Sequence, residues 1–126
     1  MNWILVAIGG GVGAVARYAL GLQAGRMLGA ELPWGTLIAN VLGGLLMGAL
    51  VGGLALRGDA DQERWRLLLG VGMLGGFTTF SAFSLETAMM IGRRQLEVAA
   101  LYALISVAAS IGALFLGLIL SRKVFA

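Results

Sequence analysis

Residues 75–87 read GGFTTFSAFSLET, with five hydroxyl side chains (Thr78, Thr79, Ser81, Ser84, Thr87), three phenylalanines and one glutamate. They lie inside Leu67–Gly92, a stretch that is otherwise almost wholly apolar. Phe80, Phe83, Ser84 and Thr87 fall at i, i+3, i+4 and i+7, one face of a helix. A face of rings and hydroxyls suits a small anion, because the edge of an aromatic ring is electropositive and a hydroxyl can donate a hydrogen bond. Ordinary packing explains the rings equally well but leaves the hydroxyls unexplained. Tyr102, Ser106 and Ser110, spaced four apart, form a second polar stripe about 12 Å long at 1.5 Å per residue. Thr36 and Asn40 form a third, with Asn40 about 9 Å into its segment. Arg17 is the single cation within an apolar stretch. Polar groups inside a membrane are expensive and face an interior or a pathway. Neutral donors and one Arg describe a route for a small anion. Glu86 opposes that reading. It lies about 10 Å beyond the centre of its segment, where an interfacial basic partner is expected.

The backbone of this run is a second source of chemistry. Gly75-Gly76 followed by Thr78-Thr79 suggests a helix that stops and restarts near the bilayer midplane. Irregular backbone at that depth survives only when buried in protein or lining a wet cavity, and its freed carbonyls can hold Na⁺. The alternative is an unbroken helix whose hydroxyls bond back to its own carbonyls. The sequence supports both readings equally.

The elements that must position these groups follow from composition. Of 126 residues, 60% are hydrophobic and 12% charged, against about half and about a quarter in a soluble domain. Four stretches reach the roughly 20 residues a membrane helix needs: about 3–23, 34–56, 67–92 and 98–121. The second and fourth carry no charge. An all-α membrane protein with one four-helix domain over residues 1–126 is expected. A cleaved signal peptide is the alternative for the first stretch, but Met1-Asn2 lacks the usual Lys or Arg. With neither Cys nor His, disulfides, haem ligation and the usual zinc sites are excluded. No enzyme signature and no nucleotide-binding loop is present. The few basic residues, a net charge of +3, sit mostly near helix ends and imply no nucleic-acid partner.

The connections are short: Gly25–Pro33, the charged run Arg57–Arg66, and Gly92–Glu97. With four spans, Arg57, Arg64, Arg66, Arg122 and Lys123 share one side. Arg26, Arg93 and Arg94 share the other, joined by Arg17 if it is counted there. Orientation follows the Lys/Arg excess on the cytoplasmic side, and five against three or four is a weak instruction. Insertion in both orientations is therefore expected, against a single topology set by the long second loop. Gly44, Gly48 and Gly52, like Gly21, Gly25 and Gly29, are spaced four apart. Small residues at that spacing let helices approach closely in lipid, within one subunit or between two. Four thin helices have little interior, so an oligomer is the natural way to enclose a pathway.

GGGVGAVARY (9–18), GTLIANVLGG (35–44), GMLGGFTTFSAFS (72–84) and the Tyr102, Ser106, Ser110 stripe together resemble the Fluc (CrcB) family of fluoride channels over nearly the whole chain. The resemblance implies a passive fluoride-specific channel in the bacterial plasma (inner) membrane. It implies an antiparallel dual-topology homodimer in the lipid bilayer, with two fluoride pathways at the subunit interface. By position, the carbonyls of Gly75 and Thr78 match those that hold a central structural Na⁺, which is not transported. Asn40, Phe80, Phe83, Tyr102 and Ser110 match pore-lining positions. Thr79, Ser81 and Ser84 resemble the polar track beside the rings, and Arg17 matches a basic residue near a vestibule. Export would relieve fluoride toxicity, since HF enters uncharged and dissociates inside.

Two other classes are weaker. A small proton-coupled drug exporter also has four helices and is often of dual topology, but needs an acid in its first helix, where this chain carries Arg17. An accessory membrane subunit should scatter its polar residues, whereas these align on three helices.

Overall fold

The computed structural model describes residues 2–29, 31–57 and 61–125. Residues 58–60 of the expected solvated run, and the side chain of Arg57, lie outside the described residues. Four candidate spans are long and apolar enough to cross a membrane: Asn2–Leu28, Trp34–Leu54, Gln62–Gly92 and Leu96–Val124. In chain order the elements are α1 (Asn2–Leu28), α2 (Trp34–Arg57) and the short α3 (Gln62–Trp65). A π-helical segment (Arg66–Leu74) follows, then α4 (Gly75–Phe77), α5 (Phe80–Gly92) and α6 (Leu96–Phe125).

Local chemistry sets the ends. α1 runs on through Gly25 and stops at Gly29, whose φ of 87° is left-handed and whose N–H bonds the Gly25 carbonyl at 3.1 Å. This is a glycine C-terminal cap. α5 closes with Gln95 N–H on the Met90 carbonyl at 2.9 Å and Arg94 N–H on the Ile91 carbonyl at 3.0 Å. Arg94 takes the left-handed position here, with φ 61°, where glycine is usual. Next to α3, Arg66 pairs with Glu63 at 2.7 Å and Arg64 with Asp61 at 4.0 Å. Both pairs are exposed and contribute little to stability.

Two close helix contacts build the protein: α2 along α6, and α1 along the π-helical segment and α4. Both are made by glycine. A Cβ on Gly44, Gly48 or Gly52 would run into Ser110, Leu114 or Ser121 of α6, and one on Gly117 would run into α2. The other expected series behaves differently. A Cβ on Gly21 or Gly25 would meet nothing within 4 Å, although one on Gly35 would meet the Gly21 Cα, and Gly29 ends the helix. On α1 the contact glycines are Gly9 and Gly13, which meet Leu68, Gly72, Met73 and Phe77, while Gly76 meets Gly10. These partners recur every four to five residues, a step wider than the 3.6 of an α-helix. The π-helical winding keeps them on α1.

The packing is inside out. Met90 is the largest fully buried side chain, at 1% exposure; it packs with Ala99 and Tyr102 beneath Leu37, Phe83 and Val98. The big apolar side chains, among them Trp3, Val15, Leu104 and Phe115, face outward. Lipid tails solvate Leu and Val as well as a core does, so helix association in membranes falls to small residues and polar bonds.

Gly48→Ala should therefore destabilise the protein by about 1–3 kcal/mol, since its methyl meets backbone that cannot yield. Gly25→Ala should be neutral or stabilise by up to about 1 kcal/mol. Thermal unfolding of both variants in detergent checks the contrast.

Candidate functional site

Between α4 and α5 the chain leaves the helix for two residues. Thr78 (φ −85°, ψ 158°) and Thr79 (φ −152°, ψ 124°) are both extended. Gly75 itself is helical, with φ −61° and ψ −38°. Of the glycine pair, Gly76 serves the approach to α1, and the extended residues lie just beyond it.

Each backbone group at this interruption can be followed. Thr78 N–H and Thr78 Oγ1 both donate to the Leu74 carbonyl, each at 3.0 Å. Thr79 N–H leaves its helical partner and donates to Asn40 Oδ1 at 2.8 Å. Asn40 Nδ2 in turn donates to the Thr79 carbonyl at 3.0 Å. Ala82 N–H donates to Thr79 Oγ1 at 3.1 Å, so Thr79 is the N-cap of α5. Arg17 Nε donates to the Gly76 carbonyl at 3.3 Å. Among the carbonyls at this helix end are those of Gly75 and Thr78, whose i+4 donors, Thr79 N–H and Ala82 N–H, point elsewhere.

The hydroxyls divide into two groups. Ser84 Oγ donates to the Phe80 carbonyl at 2.9 Å, and Thr87 Oγ1 to the Phe83 carbonyl at 2.8 Å. Thr79 and Ser81 share one bond at 3.2 Å. These groups are satisfied locally, and Ser81 and Ser84 are exposed. Tyr102 Oη, Ser106 Oγ and Ser110 Oγ are buried and meet no partner among the described residues, as is Oε1 of Glu86. Hydrogens on the α6 stripe are therefore free to be donated, whereas those of Ser84 and Thr87 are engaged.

A groove of about 410 Å³ gathers Asn40, Thr78, Thr79, Phe80, Phe83, Ser106 and Ser110. Its rings form a ladder: Phe80 and Phe83 have centroids 5.6 Å apart, and Phe83 and Tyr102 5.3 Å, both pairs tilted. Tyr102 lies under Phe83 and does not itself line the groove. Phe80 is 77% exposed, so the groove is open on one side. A Cβ on Gly43 would overlap the Thr78 methyl, so Gly43 is what admits Thr78 beside α2. Gly43 was not among the expected site residues, and the Gly43-Gly44 pair was its only trace in the sequence. Arg17 stands apart, in a second cavity of about 210 Å³ with Tyr18, Gly21, Gly35 and Thr36. Ser81 and Ser84 stay outside both.

The model of the family described as CrcB-like protein, Camphor Resistance (CrcB), matches residues 4–118. The chain is 64% identical over 123 residues to the fluoride-specific ion channel FluC of Phenylobacterium zucineum, covering 98% of this chain and 97% of that one. It is 57% identical over 122 residues to the protein of the same name from Caulobacter sp. strain K31, covering 97% and 95%. It is 48% identical over 122 residues to fluoride-specific ion channel FluC 2 of Nitrobacter hamburgensis, covering 97% and 98%. These names describe channels and not enzymes.

Thr79→Val keeps the bulk of the side chain but removes the cap, and should destabilise by about 1 kcal/mol. Thr79→Ser should keep the stability. Thr78→Val should matter less, because the Leu74 carbonyl retains Thr78 N–H. Unfolding midpoints of the three purified variants make the comparison.

Proposed function

The chain belongs to the CrcB family, and from that premise we propose that it is a passive, fluoride-selective channel that lets F⁻ leave the cytoplasm. The observation that carries this reading is the groove itself. It gathers the hydroxyls of Ser106 and Ser110, unpaired among the described residues, the amide of Asn40 and the rings of Phe80 and Phe83 in one place. A small anion entering it exchanges water for donors and positive ring edges, and Arg17 supplies a cation toward one mouth. Tyr102 anchors the ring ladder from below and offers a further unpaired hydroxyl. Thr79, Ser81 and Ser84 form an outer polar track beside the route, their hydroxyls engaged locally and not donated to the ion.

The open side of the groove supports an antiparallel homodimer, in which a second copy closes each of two pathways. Near-balanced Lys and Arg on the two sides favour insertion both ways up. The four apolar spans make the chain a multi-pass membrane protein, whose place would be the bacterial plasma membrane, with the interruption at Thr78–Thr79 near the midplane.

A structural Na⁺ fits the residues present. The Gly75 and Thr78 carbonyls have lost their helical donors, and oxygen-only ligation suits a hard cation. Such an ion would supply the charge that fixes these dipoles. From this chain come the backbone oxygens and the two-residue extension that exposes them. Phe80 and Phe83 present their edges, Asn40 holds the backbone beside them, and Ser110 donates.

Purified protein in liposomes should release F⁻ without nucleotide and Cl⁻ far more slowly. Phe80→Ile and Phe83→Ile, which keep bulk but remove the ring edge, should each lower F⁻ flux in protein that still folds. Equal F⁻ and Cl⁻ efflux would overturn the selectivity. Unchanged flux in both variants would reduce the rings to packing.

A further inference from the structure

We propose that Asn40 is the positioning residue of the interruption. Through two bonds to Thr79 it holds the chain extended there, and so fixes where the Gly75 and Thr78 carbonyls point. The inference rests on the cation reading only for what those carbonyls bind. The clamp itself stands on geometry.

Thr79 has the dihedrals of a β-strand residue. In that conformation its N–H and C=O lie on one side, as in a hydrogen-bonded strand pair that exchanges both bonds. The carboxamide of Asn40 carries an acceptor and a donor on one planar edge. It makes both bonds, at 2.8 and 3.0 Å, from 39 residues away on α2. Asn40 thus takes the place of a neighbouring strand that a membrane helix cannot supply. Its own position is fixed by the residue before it and by one a turn later on α2. Ala39 is wholly buried, and Gly43 admits Thr78 against α2 with no room for a Cβ.

Two consequences follow from the count of donors. Thr79 N–H, held by Asn40, is withheld from the Gly75 carbonyl. Thr79 Oγ1, set in place by the same extended residue, takes Ala82 N–H from the Thr78 carbonyl. Both free carbonyls are therefore products of the Asn40 contact. Two bonds to Thr79 leave Asn40 one Nδ2 hydrogen, and Asn40 lines the groove. Its part in the pathway is one fixed donor, while its larger part is to shape the backbone.

The test uses the full chain in detergent micelles, with two readouts. Hydrogen exchange at the Thr79 amide is followed in Na⁺-free buffer, and the Na⁺ concentration at the midpoint of thermal stabilisation is measured against a large organic cation. Asn40→Ala should speed Thr79 exchange about tenfold, as loss of one buried hydrogen bond implies, and raise the Na⁺ midpoint by a similar factor. Asn40→Asp retains an acceptor for Thr79 N–H and should leave that amide as slow as in the wild type. Wild-type exchange at Thr79 in folded Asn40→Ala would overturn the clamp. So would fast exchange in folded Asn40→Asp, which keeps the test sharp if the alanine variant does not fold. A wild-type protein whose stability ignores Na⁺ would refute the cation reading alone, and Thr79 exchange would then decide the clamp by itself.

Discussion

A backbone N–H or C=O in the hydrocarbon core of a bilayer has no water to turn to, so each must find its partner within the protein. Everything of interest in this chain follows from how that constraint is met at Thr78 and Thr79. The helix stops for two residues, and side chains from three directions answer for it. Asn40 reaches from α2, Arg17 reaches from α1, and the hydroxyl of Thr79 caps the helix that restarts. None of the three satisfies the carbonyls of Gly75 and Thr78. Two strong dipoles are left to face whatever the protein provides for them, beside a groove of hydroxyl and amide donors.

The same constraint explains why the scaffold is made of glycine. Side chains can reach across to a neighbouring backbone only if helices approach closely, and the α1 and α2 contacts are mostly glycine against backbone. Gly43 admits Thr78, Gly44 lies against Ser110 at the floor of the groove, and Gly76 fits against Gly10 beside the carbonyl that Arg17 holds. The large apolar side chains are consequently displaced to the surface, where lipid and, in the proposed dimer, a second copy receive them.

Much of this was legible in the sequence, though not all for the reasons the sequence offered. Apolar length and charge placement give four spans, because a membrane leaves few alternatives. The hydroxyl-rich run contains the two extended residues, Thr78 and Thr79, but Gly75-Gly76 drew attention two residues early. Glycines signal both breaks and close contacts, and here Gly76 makes a contact with Gly10. Asn40 and Thr79, 39 positions apart, carry no local sign that they bond. Periodicity placed Ser84 beside Phe80 and Phe83 but did not show that its hydrogen returns to the Phe80 carbonyl. The π-helical winding of Arg66–Leu74 was likewise hidden, since its contacts with Gly9 and Gly13 of α1 lie far away in the sequence.

That last distinction among hydroxyls is where the account is most exposed. Fluoride should be served by donors that are free, and not by hydroxyls in general. Ser110 is buried with its hydrogen unclaimed, whereas Ser84 already donates to its own helix. The decisive measurement is the F⁻ efflux of Ser110→Ala against that of Ser84→Ala, reconstituted at equal density in the same liposomes. Flux should fall severalfold in the Ser110 variant and stay near wild type in the Ser84 variant. Equal loss in both, or the reverse order, would contradict the account.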